Sequence, residues 1–274
     1  MSEKLRTSRG ERGRLAQDAA SMSKRLKKFA VSVGADLVGI ADVGILKDMR
    51  TEPPDLLERF TRAISIGVRL SDGVIDPIVD RPTPLYQQHY GKVNALLDDI
   101  ALRIAQHLQN QGGKAAPIPA SQVLDKTEWY SYLSHKAVAV AAGIGWQGKS
   151  LLLVSAACGP RVRLVTILAD LDLKPDSPVK NRCARCSACA EACPVGAIKN
   201  VNTKFHYRDR EEALDFRKCL ARVTENSQTL PFVEAPICGV CIRACPFGQK
   251  KKSTVGRGAP GTSSGASGTK TALL

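Results

Sequence analysis

Residues 183–194 read Cys183-x2-Cys186-x2-Cys189-x3-Cys193-Pro194. Two-residue gaps let three thiolates converge on one compact centre, and a fourth cysteine capped by proline points onward to another. This is the spacing by which bacterial ferredoxins hold a [4Fe-4S] cluster, the fourth cysteine ligating the second cluster of the pair. A partner motif is therefore required, and Cys238-x2-Cys241-x3-Cys245-Pro246 provides it, with Cys219 isolated upstream. The ferredoxin rule gives one cluster to Cys183, Cys186, Cys189 and Cys245, and the other to Cys219, Cys238, Cys241 and Cys193. Soft sulfur donors select this kind of metal centre where oxygen ligands would not. Structural zinc also uses Cys-x2-Cys pairs, but three cysteines in successive steps leave one sulfur surplus to a simple four-cysteine site. Val195, Ile198, Val240 and Phe247 flank the ligands and are expected to keep water from them. Two adjacent clusters make a path for single electrons, and a path needs a source and a sink.

The chain has 274 residues, enough for one large domain and a small one, and a formal net charge of +14. Such a balance ordinarily raises nucleic acid or an anionic membrane as a partner. Its distribution argues otherwise: residues 1–28 carry +6 and residues 249–274 carry +5, leaving +3 for everything between. An RNA-binding reading would rest on the two ends alone. The N-terminus has no apolar stretch of signal-peptide type, and the longest uncharged apolar run, 137–146, is far short of a bilayer span. The expectation is a cytoplasmic protein whose nine cysteines stay reduced and serve as metal ligands.

Along the chain, residues 1–21 are Arg-, Ser- and Glu-rich and aperiodic, read as a flexible basic N-terminus. Leu26, Phe29, Ala30 and Val33 then fall at helical spacing from Met22 onward. Ala35 to Ile40 reads as a strand, Pro53 to Phe60 as a brief helix, Ala63 to Leu70 as a strand and Asp72 to Pro84 as an irregular loop. Val93, Leu97, Ile100, Ile104 and Leu108 make one face of a long amphipathic helix, and Ala115 to Pro119 a third strand. Arg161 to Leu168 is the clearest strand of all. The fold class is α+β: an α/β domain over 22–175, a small ferredoxin-like domain over 176–249, and a Gly/Ser/Thr-rich tail over 250–274 expected to be disordered.

Between these elements, residues 121–135 gather Asp125, Glu128, Trp129, Tyr130, Tyr132 and His135, either a partly exposed loop entering a helix or the lip of a pocket. Ala137 to Ala142 continues as a helix so small-sided that some neighbour must approach it closely. Gly143-Ile144-Gly145-Trp146-Gln147-Gly148 matches GxGxxG by letter, but a dinucleotide site needs a strand before it and a helix after it. Here the order is reversed, so the glycines mark a close backbone approach to something else. Cys158, the ninth thiol, has no cysteine near it and reads as a small buried apolar residue.

The run His135–Ser150, with Ala-Gly-Ile-Gly-Trp-Gln-Gly-Lys at its centre, resembles the Ala-Gly-Leu-Gly-Trp-x-Gly-Lys segment of epoxyqueuosine reductases. Gly159-Pro160-Arg161-Val162-Arg163-Leu164 resembles the corresponding strand of corrinoid reductive dehalogenases. The resemblance spans residues 25–248 and includes the isolated Cys219. It implies a nitroreductase-like domain that holds cobalamin, followed by the two-cluster domain, with Gly143, Gly145, Trp146, Gly148 and Lys149 lining the corrinoid. It further implies a low-potential electron donor of ferredoxin or flavodoxin type. Epoxyqueuosine reductases carry an acid in an Asp-Ser/Thr-x-Pro-x-x-Glu stretch ahead of the glycine turn. This chain reads Pro119-Ala120-Ser121-Gln122 there, which leaves Tyr130 and His135, beside Tyr132, as candidate proton donors. No helical-repeat sequence follows the clusters, an argument against tRNA as substrate. Two functions stand: a corrinoid-dependent iron–sulfur reductase, or an electron-transfer or corrinoid-reactivating protein without a small-molecule substrate of its own. Anaerobically reconstituted protein should carry about eight irons and eight sulfides per chain, whereas about four of each would leave one motif without its cluster.

Overall fold

The computed structural model describes residues 2–249, and the expected tail lies outside the described residues. In chain order the elements are α1 (Ser2–Ser32), β1 (Leu37–Asp42), β2 (Arg62–Arg69), α2 (Asp72–Ile75), α3 (Pro84–Gln109), β3 (Ala115–Ile118), α4 (His135–Ala141), β4 (Trp146–Gln147), β5 (Leu153–Val154), β6 (Val162–Ala169), α5 (Ala188–Glu191), α6 (Phe216–Thr229) and α7 (Val240–Ala244).

Helix α1 begins at Ser2 rather than Met22. Lack of periodicity denies a segment an apolar stripe, not a helix, and its Glu, Arg, Lys, Leu and Ala residues are good helix formers. The expected helix at Pro53–Phe60 is instead a chain of turns, Leu56 N–H to Pro53 C=O, Glu58 N–H to Asp55 C=O and Phe60 N–H to Leu57 C=O. Each of these bonds spans three residues, and none spans the four of an α-helical turn. The loop after β2 contains the short helix α2. Helix α3 starts at Pro84, where Thr83 Oγ1 accepts the Tyr86 N–H at 3.1 Å, a proline-led N-terminus with a hydroxyl cap.

Four strands form one sheet in the order β1-β2-β6-β3, every pair antiparallel. Its central strands β2 and β6 are buried almost throughout, which explains their nearly continuous apolar sequence. On one face Ile64, Ile66, Val165 and Ile167 pack with Leu26 of α1 and Leu97, Ile100 and Ile104 of α3. On the other, Ala41, Ala63 and Leu168 pack with Val138 and Ala141 of α4. The neighbour that the small-sided α4 admits is β1: a Cβ on Gly39 would collide with the Ala142 carbonyl. Cys158 is buried at 4% exposure, in line with its reading as an apolar filler. Among the described residues no helix is long and apolar enough to cross a membrane.

The cysteine-rich half is not a separate bead. Val233, Ile237, Val240 and Ile242 belong to the same core as the α1/α3 face of the sheet. Gly239 sits at φ +88°, where a Cβ would meet Ile78 and Tyr86. The linker is tied down too: Asp176 pairs with Lys27 of α1 at 2.6 Å and accepts the Ile40 N–H of β1 at 2.9 Å. At the far end, the backbone of Gly159 (φ +58°) abuts Gly248. Arg161, 2% exposed, lies beneath Gly248 and pairs with Asp72 at 3.0 Å and Asp76 at 2.6 Å. Removing the acids would strand the buried guanidinium, so Asp72→Ala combined with Asp76→Ala should lower the unfolding free energy by about 3 kcal/mol in denaturant titrations.

Candidate functional site

The first cysteine motif is held by hydrogen bonds made outside it. Asn181 donates through Nδ2 to the carbonyls of Gln147 and Thr203, both at 3.0 Å, and its Oδ1 accepts the Cys183 N–H at 2.9 Å. The Cys183–Cys186 turn closes by Cys186 N–H to Cys183 C=O at 2.9 Å, with Ala184 in a left-handed conformation whose carbonyl is held by Asn202. Cys183, Cys186, Cys189 and Cys245 line one small cavity together with Gly148 and Lys149. Burial pushes the Cys245 thiol up to about 11, with the charges of Cys183, Cys189 and Cys186 adding to it. A second set forms around α6 and α7. Burial raises Cys219 to about 11, helped by Cys193 and Cys238, and Cys241 is raised further by burial and by Cys238 and Cys219. Cys193 thus acts on the second set although it lies in the first motif, and Cys245 on the first although it lies in the second.

The donor set fits iron–sulfur clusters. Among the described residues no three His, Cys, Asp or Glu side chains close on a single ion. Thiols that line a common hollow without converging on one point suit a polynuclear centre, in which each sulfur binds a different iron, better than one tetrahedral zinc. Hydrogen bonds reach the sulfurs: Trp146 Nε1–H to Cys183 Sγ and Ala197 N–H to Cys193 Sγ, each at 3.3 Å. Of the four flanking residues expected to exclude water, Val240 is buried, Ile198 and Phe247 are half-buried, and Val195 is exposed.

The glycine turn lies against this module. Gly143 faces the Ser177 carbonyl and Gly145 the Val154 carbonyl, so their close approach is to protein backbone. Gly148 faces Val154 and, at 3.6 Å, Cys183 Sγ. Trp146 and Lys149 are buried, the Lys149 ammonium donating to the Cys186 carbonyl at 2.9 Å. Of the five residues assigned by resemblance to a corrinoid, Trp146, Gly148 and Lys149 therefore stand at the first thiol set and Gly143 and Gly145 against backbone, and the roomier cavity is built by others.

That cavity, about 460 Å³, is lined by Met49, Arg50, Tyr130, Lys136, Arg208 and Arg210 among others. It adjoins a hollow of about 470 Å³ at Tyr130, Arg210 and Phe216, and one of about 250 Å³ at Ser134 and Lys136 that extends to Arg163 and Ile242. Two guanidiniums lie over the Tyr130 ring, Arg50 at 3.6 Å and Arg210 at 4.3 Å from its centroid. The one acid of the 460 Å³ cavity, Asp209, is engaged as a helix cap. Lys136 looks from this cavity towards Cys219; burial lowers it to about 8, Arg163 and Arg210 contribute, and Cys219 opposes them. Tyr207, 7% exposed, stands between the cavity and the first thiol set, its phenol pushed up to about 12 by burial and by Cys183 and Cys189.

Of the two expected proton donors, Tyr130 lines the cavity and His135 does not fit the role. His135 Nε2 donates to the Pro119 carbonyl at 3.0 Å, so Nδ1 accepts from Thr166 Oγ1 at 2.8 Å. Both nitrogens are committed, and burial lowers the imidazole to about 4, with Arg163 and Lys136 acting in the same direction. The cations of the cavity went unread in the sequence because they come from three separate segments and single Arg and Lys residues look like surface.

Comparison with known proteins bears on the module first: residues 182–248 match the model of the 4Fe-4S double cluster binding domain. This quarter of the chain is a double-cluster domain. The rest of the chain accompanies it in larger relatives. The epoxyqueuosine reductase of Vibrio cholerae is 23% identical over 261 residues, covering 83% of this chain and 65% of that protein. A catabolic reductive dehalogenase solved with 3-bromo-4-hydroxybenzoic acid superposes with a TM-score of 0.65 at 19% identity, over 85% of this chain and 32% of that one. An epoxyqueuosine reductase solved with a modified tRNA stem loop gives 0.57 at 20% identity, over 83% and 65%. The chain thus spans less than two thirds of these relatives, and the structural likenesses establish the fold.

A neutral buried His135 has a consequence for stability. Its value is depressed from the ordinary 6.5 to about 4, so the unfolded chain takes up the proton first as pH falls. The stability it contributes is intact above pH 6.5 and drains away below it. Between pH 6.5 and 5 the wild type should lose on the order of 1 kcal/mol through this group, and the denaturation midpoint of His135→Asn should change less over the same range.

Proposed function

We propose that the chain is an iron–sulfur oxidoreductase of epoxyqueuosine-reductase type, passing low-potential electrons through two [4Fe-4S] clusters to a corrinoid seated in the cavity beside Lys136. The observation that carries this reading is the junction itself: two thiol sets that exchange a member, abutting one cationic, aromatic-edged cavity through Lys136 and Tyr207. Cys183, Cys186, Cys189 and Cys245 would hold one cluster, Cys193, Cys219, Cys238 and Cys241 the other. A bound corrinoid would supply a strongly reducing metal centre next to them. Leu133, Ala137 and Leu151 give the cavity an apolar floor, and Arg50 and Arg208, whose guanidiniums make no hydrogen bond or ion pair among the described residues, give it a rim that can take the ligand's amides and phosphate. Tyr130 is the proton donor this arrangement offers, since its phenol opens on the cavity while two guanidiniums fix its ring. His135 and Thr166 position the start of α4, and with it Lys136.

Lys149, 4% exposed and bonded to the Cys186 carbonyl, places a buried positive charge beside a cluster that gains negative charge on reduction. Replacing it as Lys149→Gln should lower the midpoint potential of that cluster by on the order of 50 to 100 mV in an electrochemical titration followed by electron paramagnetic resonance. For the function as a whole, the anaerobic holoprotein should bind cobalamin and change its cobalt spectrum on reduction. Intact clusters with no cobalamin bound in such a titration would remove the reductase reading and leave an electron carrier. A modified tRNA stem loop and small halogenated phenols, the ligands of the two structural relatives, are the first substrates to try on the loaded protein.

A further inference from the structure

The first thiol set has an outer side as well as an inner one. From Ser177 to Ala190 the chain contains three cations, Lys180, Arg182 and Arg185, and no acid. All three are exposed, and none has an ion-pair partner among the described residues. They are not on a loose loop, because Asn181 on one side of Arg182 and Cys183 on the other are fixed by the hydrogen bonds that anchor the motif. The Arg182 guanidinium lies 5.8 Å from the Trp146 ring centroid and 5.4 Å from that of Phe247. Those two rings meet edge to face with centroids 5.0 Å apart, and the Trp146 indole N–H ends on Cys183 Sγ. An exposed cation, two aromatic rings and a thiol thus form one continuous contact from the surface to the first set.

We propose that this rim, Lys180, Arg182 and Arg185 over Trp146 and Phe247, is the docking face for an acidic one-electron carrier protein, and that electrons enter the chain at the cluster held by Cys183. The inference rests on the proposed ligation of that cluster. In the step, one electron leaves the reduced carrier and one enters the cluster, which passes from its oxidised to its singly reduced form; no bond to carbon changes and no proton is required. Three exposed cations without ion-pair partners, Arg182 among them beside the buried indole, steer an acidic partner and orient it over the shortest way in. A single-stranded nucleic acid would want an exposed aromatic platform for its bases, and Trp146 is 2% exposed.

The test uses the full-length holoprotein, with iron and sulfide measured in every sample so that loss of clusters, which would strike the proposed function itself, is seen separately. Reduced flavodoxin, an acidic one-electron carrier, is mixed with it in a stopped-flow instrument while the visible cluster absorbance is followed, and its oxidised form is used for direct binding measurements. The rate should fall as salt rises, and Arg182→Glu combined with Arg185→Glu should lower both rate and binding by about tenfold or more at low salt. Reduction by photoreduced deazariboflavin should be unchanged, as should the flavodoxin rate of Arg59→Glu, an exposed charge elsewhere. Wild-type rates and binding in the double variant would overturn the proposal. So would an equal loss with both reductants, repeated in the milder Arg182→Gln, since the arginine would then support the cluster rather than the partner. Charge-sensitive binding of a tRNA stem loop at this rim, with flavodoxin unaffected, would overturn it as well.

Discussion

Bringing eight thiols into two adjoining sets is costly until something positive arrives. Burial and mutual repulsion together raise Cys219 and Cys245 to about 11 and Cys241 beyond them, so without metal these sites hold protons. Iron must displace those protons, which couples assembly of the centre to the fold around it. The coupling runs deep here, because Val233, Ile237, Val240 and Ile242 lie between the second motif and the sheet's own core. The double-cluster domain is therefore a wall of the larger domain, and the glycines at Gly143, Gly159 and Gly239 are the points where the two backbones or their side chains press together.

The electrostatics of the two sets differ. Lys149 is buried against the first set through the Cys186 carbonyl, whereas Lys136 approaches the second from an open cavity and answers to Arg163 and Arg210 as well. One cation is a fixed counter-charge, and the other stands where a ligand can meet it. Trp146 adds a hydrogen bond to Cys183 that has no counterpart from an aromatic donor among the described contacts of the second set. The two thiol sets thus sit in unequal surroundings, and unequal charge and hydrogen bonding are what set two clusters at different potentials.

How much of this was legible in the sequence depended on how local each signal was. Ligand spacing is local, so the cysteine motifs could be read directly, and the exchange of Cys193 and Cys245 followed from one rule. Strands β2 and β6 were legible because burial on both faces leaves a long apolar run. The start of α1 was not, since charged helix formers without a stripe look like coil, and Pro53-Pro54 looked like a helix start when it forms turns. The glycine turn announced a close approach without saying to what; the answer, the carbonyls of Ser177 and Val154, lies far along the chain. The cavity was hidden for the same reason, for Arg50, Tyr130, Lys136 and Arg210 come from separate segments that only the sheet and the second module bring together.

The exchanged cysteines also set a timetable for the newborn chain. A ribosome delivers residues in order, and Cys245, the partner of Cys183, Cys186 and Cys189, is the last thiol to appear. The set of Cys193, Cys219, Cys238 and Cys241 is complete four residues earlier, so the second set can close first and the first set, begun earliest, is the last to be finished.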